Sequence, residues 1–193
     1  MDASQVEEAA MNPINIPNLL SVGRILSVPV FIILMLEPTP LRALAAGIVF
    51  SLASISDWLD GFLARRWGQV TKLGKLLDPV ADKILVTSAL IMLVDIDGIN
   101  VPAWMAIVII SREIAVTGLR AMASSEGIVI PAETMGKYKT AAQITAVLCL
   151  VYDYHLGTGW MTDIGQTALW IAMILAVYSG VQYFLIYWKR LNT

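Results

Sequence analysis

Residues 41–64 read LRALAAGIVFSLASISDWLDGFLA, an apolar run with one basic residue near its start and two aspartates, Asp57 and Asp60, near its end. A helix of about 20 apolar residues is long enough to cross the hydrocarbon core of a bilayer. The run therefore predicts a membrane-spanning helix that carries carboxylates close to one membrane surface. The rest of the chain has the same character, since 58% of its 193 residues are hydrophobic and the mean hydropathy is +0.72. A soluble domain of this length is far less apolar.

The apolar runs predict an all-α, polytopic integral membrane bundle with six transmembrane helices. Each run is close to the length of about 20 residues that a membrane-spanning helix needs. Little sequence remains between the runs, so residues 1–193 are predicted to form a single membrane domain, with a polar tail or short surface helix at 1–14. The predicted spans are 19–36, 41–64, 76–94, 101–122, 137–153 and 164–188.

Lysine and arginine are distributed unevenly between the predicted loops. Cytoplasmic loops of membrane proteins are enriched in these two residues. If the N-terminus is cytoplasmic, nine basic residues lie on the cytoplasmic side and one, Arg42, lies on the other side. This bias predicts a multi-pass protein of the cell (inner) membrane whose active site faces the cytoplasm. The nine residues are Arg65, Arg66, Lys72, Lys75, Arg120, Lys137, Lys139, Lys189 and Arg190.

A second pair of aspartates, Asp78 and Asp82, follows the first pair in the sequence. The members of the first pair are three residues apart and those of the second are four apart, so each pair shares one face of a helix. Isolated aspartates usually cap helices or face solvent, but two such pairs with small residues between them favour a site. Four carboxylates in a low-dielectric site repel one another unless they protonate or bind cations, and an all-oxygen set suits Mg²⁺ or Mn²⁺. The pattern therefore predicts a metal site.

Basic residues of the later spans form a second candidate site. Arg112 and Arg120 are eight residues apart, a little over two helical turns, and therefore lie near one face. Lys137 and Lys139 open the fifth predicted span from the same membrane side. Together they favour an anionic substrate, with a general positive-inside role as the alternative. Because adjacent helical residues point about 100° apart, Arg112 and its neighbour Glu113 are predicted to have different partners.

The full pattern from Asp57 to Asp82 is D-x2-D-G-x2-A-R-x8-G-x3-D-x3-D. It resembles the signature of the CDP-alcohol phosphotransferase family. The resemblance implies that Asp57, Asp60 and Asp78 coordinate metal and bind CDP, and that the metal is a pair of Mg²⁺ or Mn²⁺ ions. It makes Asp82 a further metal ligand and the general base. The other CDP-binding residues that it implies are Gly61, Ala64, Arg65 and Gly74.

Further segments resemble one branch of that family. They are residues 15–18 (NIPN) with Arg24, residues 73–83 (LGKLLDPVADK), residues 112–120 (REIAVTGLR) and residues 136–140 (GKYKT). Members of this branch transfer the phosphatidyl group from CDP-diacylglycerol, a membrane lipid, to sn-glycerol 3-phosphate and release CMP. The resemblance also implies a homodimer and no nucleic-acid partner. A phosphorylated acceptor needs cations beyond those that serve the donor, and the candidates are Arg112, Arg120, Lys137 and Lys139.

Two alternatives stay open at this point. Another acceptor, such as serine or inositol phosphate, would be compatible with the same donor chemistry. A small membrane transporter would instead use the acidic residues to bind cations. The aspartates lie at the ends of predicted spans rather than at the membrane midplane, and inverted repeats are not evident, so the sequence favours an enzyme over a transporter.

Overall fold

The computed structural model describes residues 16–67, 72–126 and 134–191. The residues in these ranges form helices joined by short connections and contain no strand. The polar tail predicted at 1–14 lies outside them. The helices are α1 (Ile16–Leu36), α2 (Pro40–Trp67), α3 (Lys72–Val94), α4 (Ala103–Ser125), α5 (Thr134–Leu156) and α6 (Trp160–Leu191).

Each predicted span overlaps one of these helices, and the predicted all-α class is confirmed. Three helices contain stretches long and apolar enough to cross a membrane, namely Leu19–Leu36 of α1, Pro40–Asp57 of α2 and Trp160–Arg190 of α6. The helices α3, α4 and α5 carry charged residues within their apolar runs, such as Asp82 and Arg112. Charged residues lower the mean hydropathy of a segment. The described helices therefore support a membrane protein, whereas six membrane crossings stay a prediction.

The chain divides into two compact units, Met1–Met92 and Leu93–Thr193. In the first unit α1 packs along α2. The rings of Phe31 and Phe50 are fully buried between these two helices, with 5.8 Å between their centroids. Ala46 of α2 is also fully buried, and small residues of this kind let neighbouring helices approach closely. The first two helices therefore form a packed hairpin.

In the second unit α6 packs against both α4 and α5. A β-carbon added to Gly165 of α6 would lie 2.7 Å from Cγ of Leu150 and 3.2 Å from the carbonyl oxygen of Ala146, both on α5. Only glycine fits so close to α5 without a shift. Helices in membranes associate largely through such van der Waals packing of small residues. In the second unit, α6 is thus the helix that packs against both of the others.

A tight turn joins α5 to α6. Gly157 and Gly159 have φ angles of 64° and 79°, in the left-handed region that favours glycine. The buried carboxylate of Asp153 accepts hydrogen bonds from the backbone N–H groups of Thr158 (3.2 Å), Gly159 (3.0 Å) and Thr162 (3.2 Å). It also accepts hydrogen bonds from the hydroxyls of both threonines. One side chain at the end of α5 therefore caps the start of α6.

Candidate functional site

The aspartate motif lies on two helices of the first unit. Both Asp57 and Asp60 lie within α2, and both Asp78 and Asp82 lie within α3. Each pair is therefore on a continuous helix, as the spacing argument requires. Pro79 lies well beyond the first turn of α3 and cannot donate the backbone hydrogen bond that other residues make at such a position.

Two of the four motif aspartates have side chains in the described part of the structure. These are Asp57 and Asp82, and neither is fully buried. In that part of the chain, no three histidine, cysteine or carboxylate side chains come close enough to bind one metal ion. The other two aspartates of the predicted metal site, Asp60 and Asp78, have side chains outside that part, so the metal site stays a prediction. The predictions that fall outside the described side chains concern Asp60, Gly61, Ala64, Arg65, Gly74 and Asp78.

Arg24 of α1 is buried beside the motif and forms an ion pair with it. Its Nη1 lies 2.7 Å from Oδ1 of Asp57, and its Nε donates a hydrogen bond to the carbonyl oxygen of Ala53 at 3.3 Å. The arginine side chain is completely inaccessible, yet 44% of the Asp57 side chain is exposed. The ion pair therefore holds the carboxylate from the protein side and leaves it able to contact a ligand.

The contact of Arg24 with Asp57 was not predicted from the sequence, in which Arg24 is a basic residue within a span and part of the resemblance to the family branch. A signal was available, because an arginine at membrane depth normally has an acidic or carbonyl partner. The sequence alone does not say which carboxylate that partner is. The packing of α1 against α2 selects Asp57.

Arg112 of α4 is held by two residues of α6 and by its own neighbour in the sequence. Its Nε donates to the carbonyl oxygen of Ala176 at 2.9 Å, and its Nη2 donates to Oγ of Ser179 at 2.6 Å. Its Nη1 lies 3.2 Å from Oε1 of Glu113. The prediction that Arg112 and Glu113 have different partners is therefore wrong in part. The two long side chains bend toward each other, and each also contacts another helix.

Glu113 connects Arg112 to the start of α5. Nζ of Lys139 donates a hydrogen bond to the same carboxylate oxygen that contacts Arg112. Lys139 is buried, with 6% of its side chain exposed, so the carboxylate balances a cation that has little access to water. Lys137, the other basic residue of this segment, is exposed. Of the two lysines predicted to bind a phosphate, one already has a counterion and the other faces outward.

Arg120 lies two turns beyond Arg112 and contacts the same neighbouring helix. Its Nη2 donates to the hydroxyl of Tyr183, and its Cζ lies 4.6 Å from the centroid of that ring. One turn further, the hydroxyl of Tyr187 donates to Oε2 of Glu126 at 3.0 Å. Polar contacts therefore connect the second half of α4, and Glu126 just beyond its end, to α6.

The partners on α6 are residues that the sequence analysis missed. Ser179, Tyr183 and Tyr187 are four residues apart and share one face of a largely apolar helix. That spacing was a usable signal, since polar groups repeated on one face of a membrane helix usually contact a neighbouring helix.

Arg112, Arg120, Lys139 and Glu113 form what we call the cationic cluster. Three cations and one carboxylate leave a net charge of +2. The Arg112 side chain is largely buried, whereas Arg120 is exposed. A partly desolvated guanidinium such as that of Arg112 binds phosphate oxygens strongly and with a defined direction. The cluster is therefore suited to binding a small phosphorylated molecule.

An all-helical membrane protein with paired aspartates on two helices and a cationic cluster in its second unit has the features of an enzyme that acts on phosphorylated substrates at a membrane. The family profile of CDP-alcohol phosphatidyltransferase matches residues 14–178, and the chain belongs to this family. The family predicted from the aspartate motif is thus confirmed.

Curated relatives of the chain align over nearly its whole length. A protein of Bacillus subtilis (strain 168) is 44% identical over 194 aligned positions, which cover 93% of this chain and 98% of the relative. A protein of Pseudomonas fluorescens is 42% identical over 182 positions, covering 93% of each chain. A protein of Haemophilus influenzae is 37% identical over 174 positions, covering 88% of this chain and 91% of the relative. Each is named CDP-diacylglycerol--glycerol-3-phosphate 3-phosphatidyltransferase.

Proposed function

We propose that the protein transfers the phosphatidyl group from CDP-diacylglycerol to sn-glycerol 3-phosphate and releases CMP. The observation that carries this proposal is the alignment with relatives of that name over almost their entire length. The aspartate motif supplies the residues for the donor, and the cationic cluster supplies the charge that a phosphorylated acceptor needs.

In the proposed reaction a hydroxyl oxygen of glycerol 3-phosphate forms a bond to the phosphorus that carries diacylglycerol. The bond between that phosphorus and the bridging oxygen of the diphosphate breaks, and CMP leaves with the bridging oxygen. The proton of the attacking hydroxyl passes to the carboxylate of Asp82, which acts as the general base. Asp82 is neither fully buried nor fully exposed, so it can contact a substrate.

Two Mg²⁺ or Mn²⁺ ions are the proposed cofactors, and Asp57, Asp60, Asp78 and Asp82 would hold them. The donor set fits, because hard divalent cations prefer carboxylate oxygens and the motif offers no thiol or imidazole. The exposed carboxylate of Asp57, fixed by Arg24, agrees with a ligand-binding role. When bound, such ions neutralise charge on a transferring phosphoryl group.

The CDP group is assigned to three of these aspartates and to the remaining motif residues. Asp57, Asp60 and Asp78, which would hold the metal ions, are also assigned to the diphosphate region of CDP. Gly61, Ala64 and Gly74 have small or absent side chains, which would let the nucleotide approach the backbone. Arg65 carries a guanidinium suited to a phosphate contact. The acyl chains of the donor would stay among the membrane lipids.

The acceptor phosphate is assigned to Arg112, Arg120, Lys137 and Lys139. The contacts of these residues rank their contributions. Arg112 and Arg120 are oriented by α6, Lys137 is exposed, and Lys139 is already balanced by Glu113. We therefore expect the two arginines to contribute most of the affinity for the phosphate.

We further propose that the protein lies in the cell (inner) membrane as a homodimer and that its active site faces the cytoplasm. The excess of lysine and arginine in the predicted cytoplasmic loops supports this orientation. The acceptor is a soluble phosphate ester, so it would reach the site from the same compartment.

A CMP-release assay with purified protein in detergent micelles tests the function. The donor is CDP-diacylglycerol, and sn-glycerol 3-phosphate, serine and inositol phosphate are compared as acceptors. We expect rapid release with glycerol 3-phosphate and little with the other two. Equal or faster release with serine or inositol phosphate would show that the acceptor has been assigned wrongly, although the donor chemistry would stand.

A further inference from the structure

Ser179 and Gly180 of α6 lie directly beside Arg112 and contact different parts of its side chain. We propose that these two residues are positioning residues that fix the Arg112 guanidinium for the phosphate of the acceptor. This inference rests on the proposed function and identifies the second unit's last helix as part of the acceptor site. Neither residue belongs to the aspartate motif or to the segments that resemble the family branch.

Gly180 provides the space in which the arginine lies. A β-carbon at this position would be 3.1 Å from Cγ of Arg112 and 3.6 Å from its Nε. The stem of the arginine therefore passes over the backbone of α6 at Gly180, where no side chain projects. A larger residue would push the stem away from α6 and with it the hydrogen bond from Nε to Ala176.

Ser179 determines the direction of the guanidinium. Its side chain is fully buried, and its hydroxyl donates to the carbonyl oxygens of Leu175 at 2.6 Å and Ala176 at 3.2 Å. A serine hydroxyl has one hydrogen and two lone pairs. Because the hydrogen is directed to the backbone, a lone pair is left for Nη2 of Arg112, which donates at 2.6 Å.

Three protein contacts thus fix the guanidinium, through Ala176, Ser179 and Glu113. A guanidinium has five N–H donors, so this arrangement is compatible with further donors that contact a ligand in a fixed direction. An arginine ordered before the substrate arrives loses less conformational entropy on binding. Disturbing α6 at this point should therefore weaken acceptor binding and leave donor binding unchanged.

The test compares Gly180→Ala with Gly165→Ala in the purified enzyme. Gly165 lies on the same helix, but a β-carbon there would meet Leu150 at 2.7 Å and not an arginine. We expect Gly180→Ala to raise the KM for glycerol 3-phosphate about 5- to 20-fold, since small misplacements of a positioning group are costly. The KM for CDP-diacylglycerol should change less than about twofold. Gly165→Ala should lower the unfolding temperature and leave both KM values unchanged.

A comparison of single and double variants tests whether α6 affects acceptor binding through Arg112. Ser179→Ala alone should raise the KM for glycerol 3-phosphate, because Nη2 loses its acceptor. In an Arg112→Lys background, Ser179→Ala should add little, since the contact between them has already been removed. Full additivity of the two changes would overturn the inference.

The other outcomes separate the inference from the proposed function. If wild-type protein releases CMP with another acceptor but not with glycerol 3-phosphate, the proposed function fails. The inference is then tested by measuring the KM for that other acceptor in Gly180→Ala and Ser179→Ala. If wild type is active with glycerol 3-phosphate and both Gly180→Ala and Ser179→Ala leave its KM unchanged, the inference fails. It also fails if Gly165→Ala raises this KM as much as Gly180→Ala does.

Discussion

Two acidic residues of the second unit, Asp153 and Glu113, differ in the charge of their hydrogen-bond partners and in where those partners lie in the chain. Asp153 accepts hydrogen bonds from neutral donors of the turn that follows it, the furthest being nine residues along the chain. Glu113 is contacted by two cations, one of which, Lys139, is 26 residues away on another helix. The first carboxylate fixes local structure, whereas the second sets the charge of a cluster that exists only after three helices have assembled.

This difference shows how to interpret an acidic residue in an apolar helix. An acidic residue in such a helix does not by itself indicate a ligand-binding site. Asp153 is buried, and the hydrogen bonds that it accepts from the following turn account for its presence. Whether the residue is a cap or part of a site depends on the charge of its partners and on where in the chain they lie. Neutral backbone donors close in sequence indicate a cap, while cations from distant helices indicate a cluster that can bind a ligand.

A change at Asp82, a third acidic residue to compare with Asp153 and Glu113, should have a much larger effect on catalysis than a change at either of them. Asp82→Asn keeps the shape of the side chain but removes the proposed base, so kcat should fall about 10²- to 10⁴-fold. The KM for the donor and the unfolding temperature should change little. A CMP-release assay and a thermal melt check both. Wild-type kcat in Asp82→Asn would contradict the assignment of the base.

The metal requirement of the same motif is tested with a chelator. Treatment of the wild type with EDTA should abolish CMP release, and added Mg²⁺ or Mn²⁺ should restore it, because the carboxylates are proposed to act through bound ions. Metal binding is followed separately by calorimetry, with Asp60→Asn and Asp78→Asn as weakened variants. Activity that persists in EDTA would rule out the two-metal scheme.

The next largest effect is expected at the turn between α5 and α6. Asp153→Ala removes the acceptor for several donors in partly buried hydrogen bonds and should lower the free energy of unfolding by about 2–4 kcal/mol. The kcat/KM of the folded fraction should be unchanged. Asp163→Ala, at an exposed aspartate in the first turn of α6, is the control and should have a small effect. A selective change in the KM for the acceptor in Asp153→Ala would contradict the view that Asp153 has a structural role and Glu113 a role in the site.

A change in the cationic cluster should instead affect acceptor binding more than stability. Arg112→Lys removes the bidentate geometry and should weaken the acceptor complex by about 1.5–3 kcal/mol, or about 10- to 150-fold in kcat/KM. The KM for CDP-diacylglycerol should be nearly constant. Arg42→Lys, at an exposed arginine that contacts Glu37, is the matched control. Equal losses for donor and acceptor would remove Arg112 from the acceptor site.

The smallest effect is expected at Glu113 itself. Glu113→Gln keeps a hydrogen-bond acceptor but raises the net charge of the cluster by one, so the KM for glycerol 3-phosphate should fall about 2- to 5-fold at low salt. The difference should shrink as salt screens the added charge. Glu126→Gln, which affects the contact with Tyr187 instead, is the control. A rise in KM would mean that Glu113 acts by orienting its neighbours and not by its charge.

Much of the fold could be predicted because membrane helices depend on local composition. The run at 41–64 predicts a helix from its length and apolar character alone, and α2 covers it from Pro40 to Trp67. The family could also be predicted, since the aspartate motif is contiguous in sequence and independent of how the helices pack.

The partners of the charged residues could not be predicted in the same way. Periodicity shows which residues share a face of one helix but not which other helix that face meets. The ion pair between Arg24 and Asp57 depends on how α1 lies against α2. The contacts of Arg112 with Ala176 and Ser179 depend on the close approach of α4 to α6.

The buried Arg24 also bears on how the chain is inserted into the bilayer during its synthesis. It lies inside Leu19–Leu36, the first stretch among the described residues that is long and apolar enough to cross the membrane. An arginine at the centre of such a segment costs about 2.5–3.5 kcal/mol on insertion, less toward an end. Asp57 arrives with the next helix and offers the opposite charge. The first two helices would then enter the membrane most favourably as a pair, so the contact that orients a carboxylate in the finished enzyme also couples the insertion of α1 to the synthesis of α2.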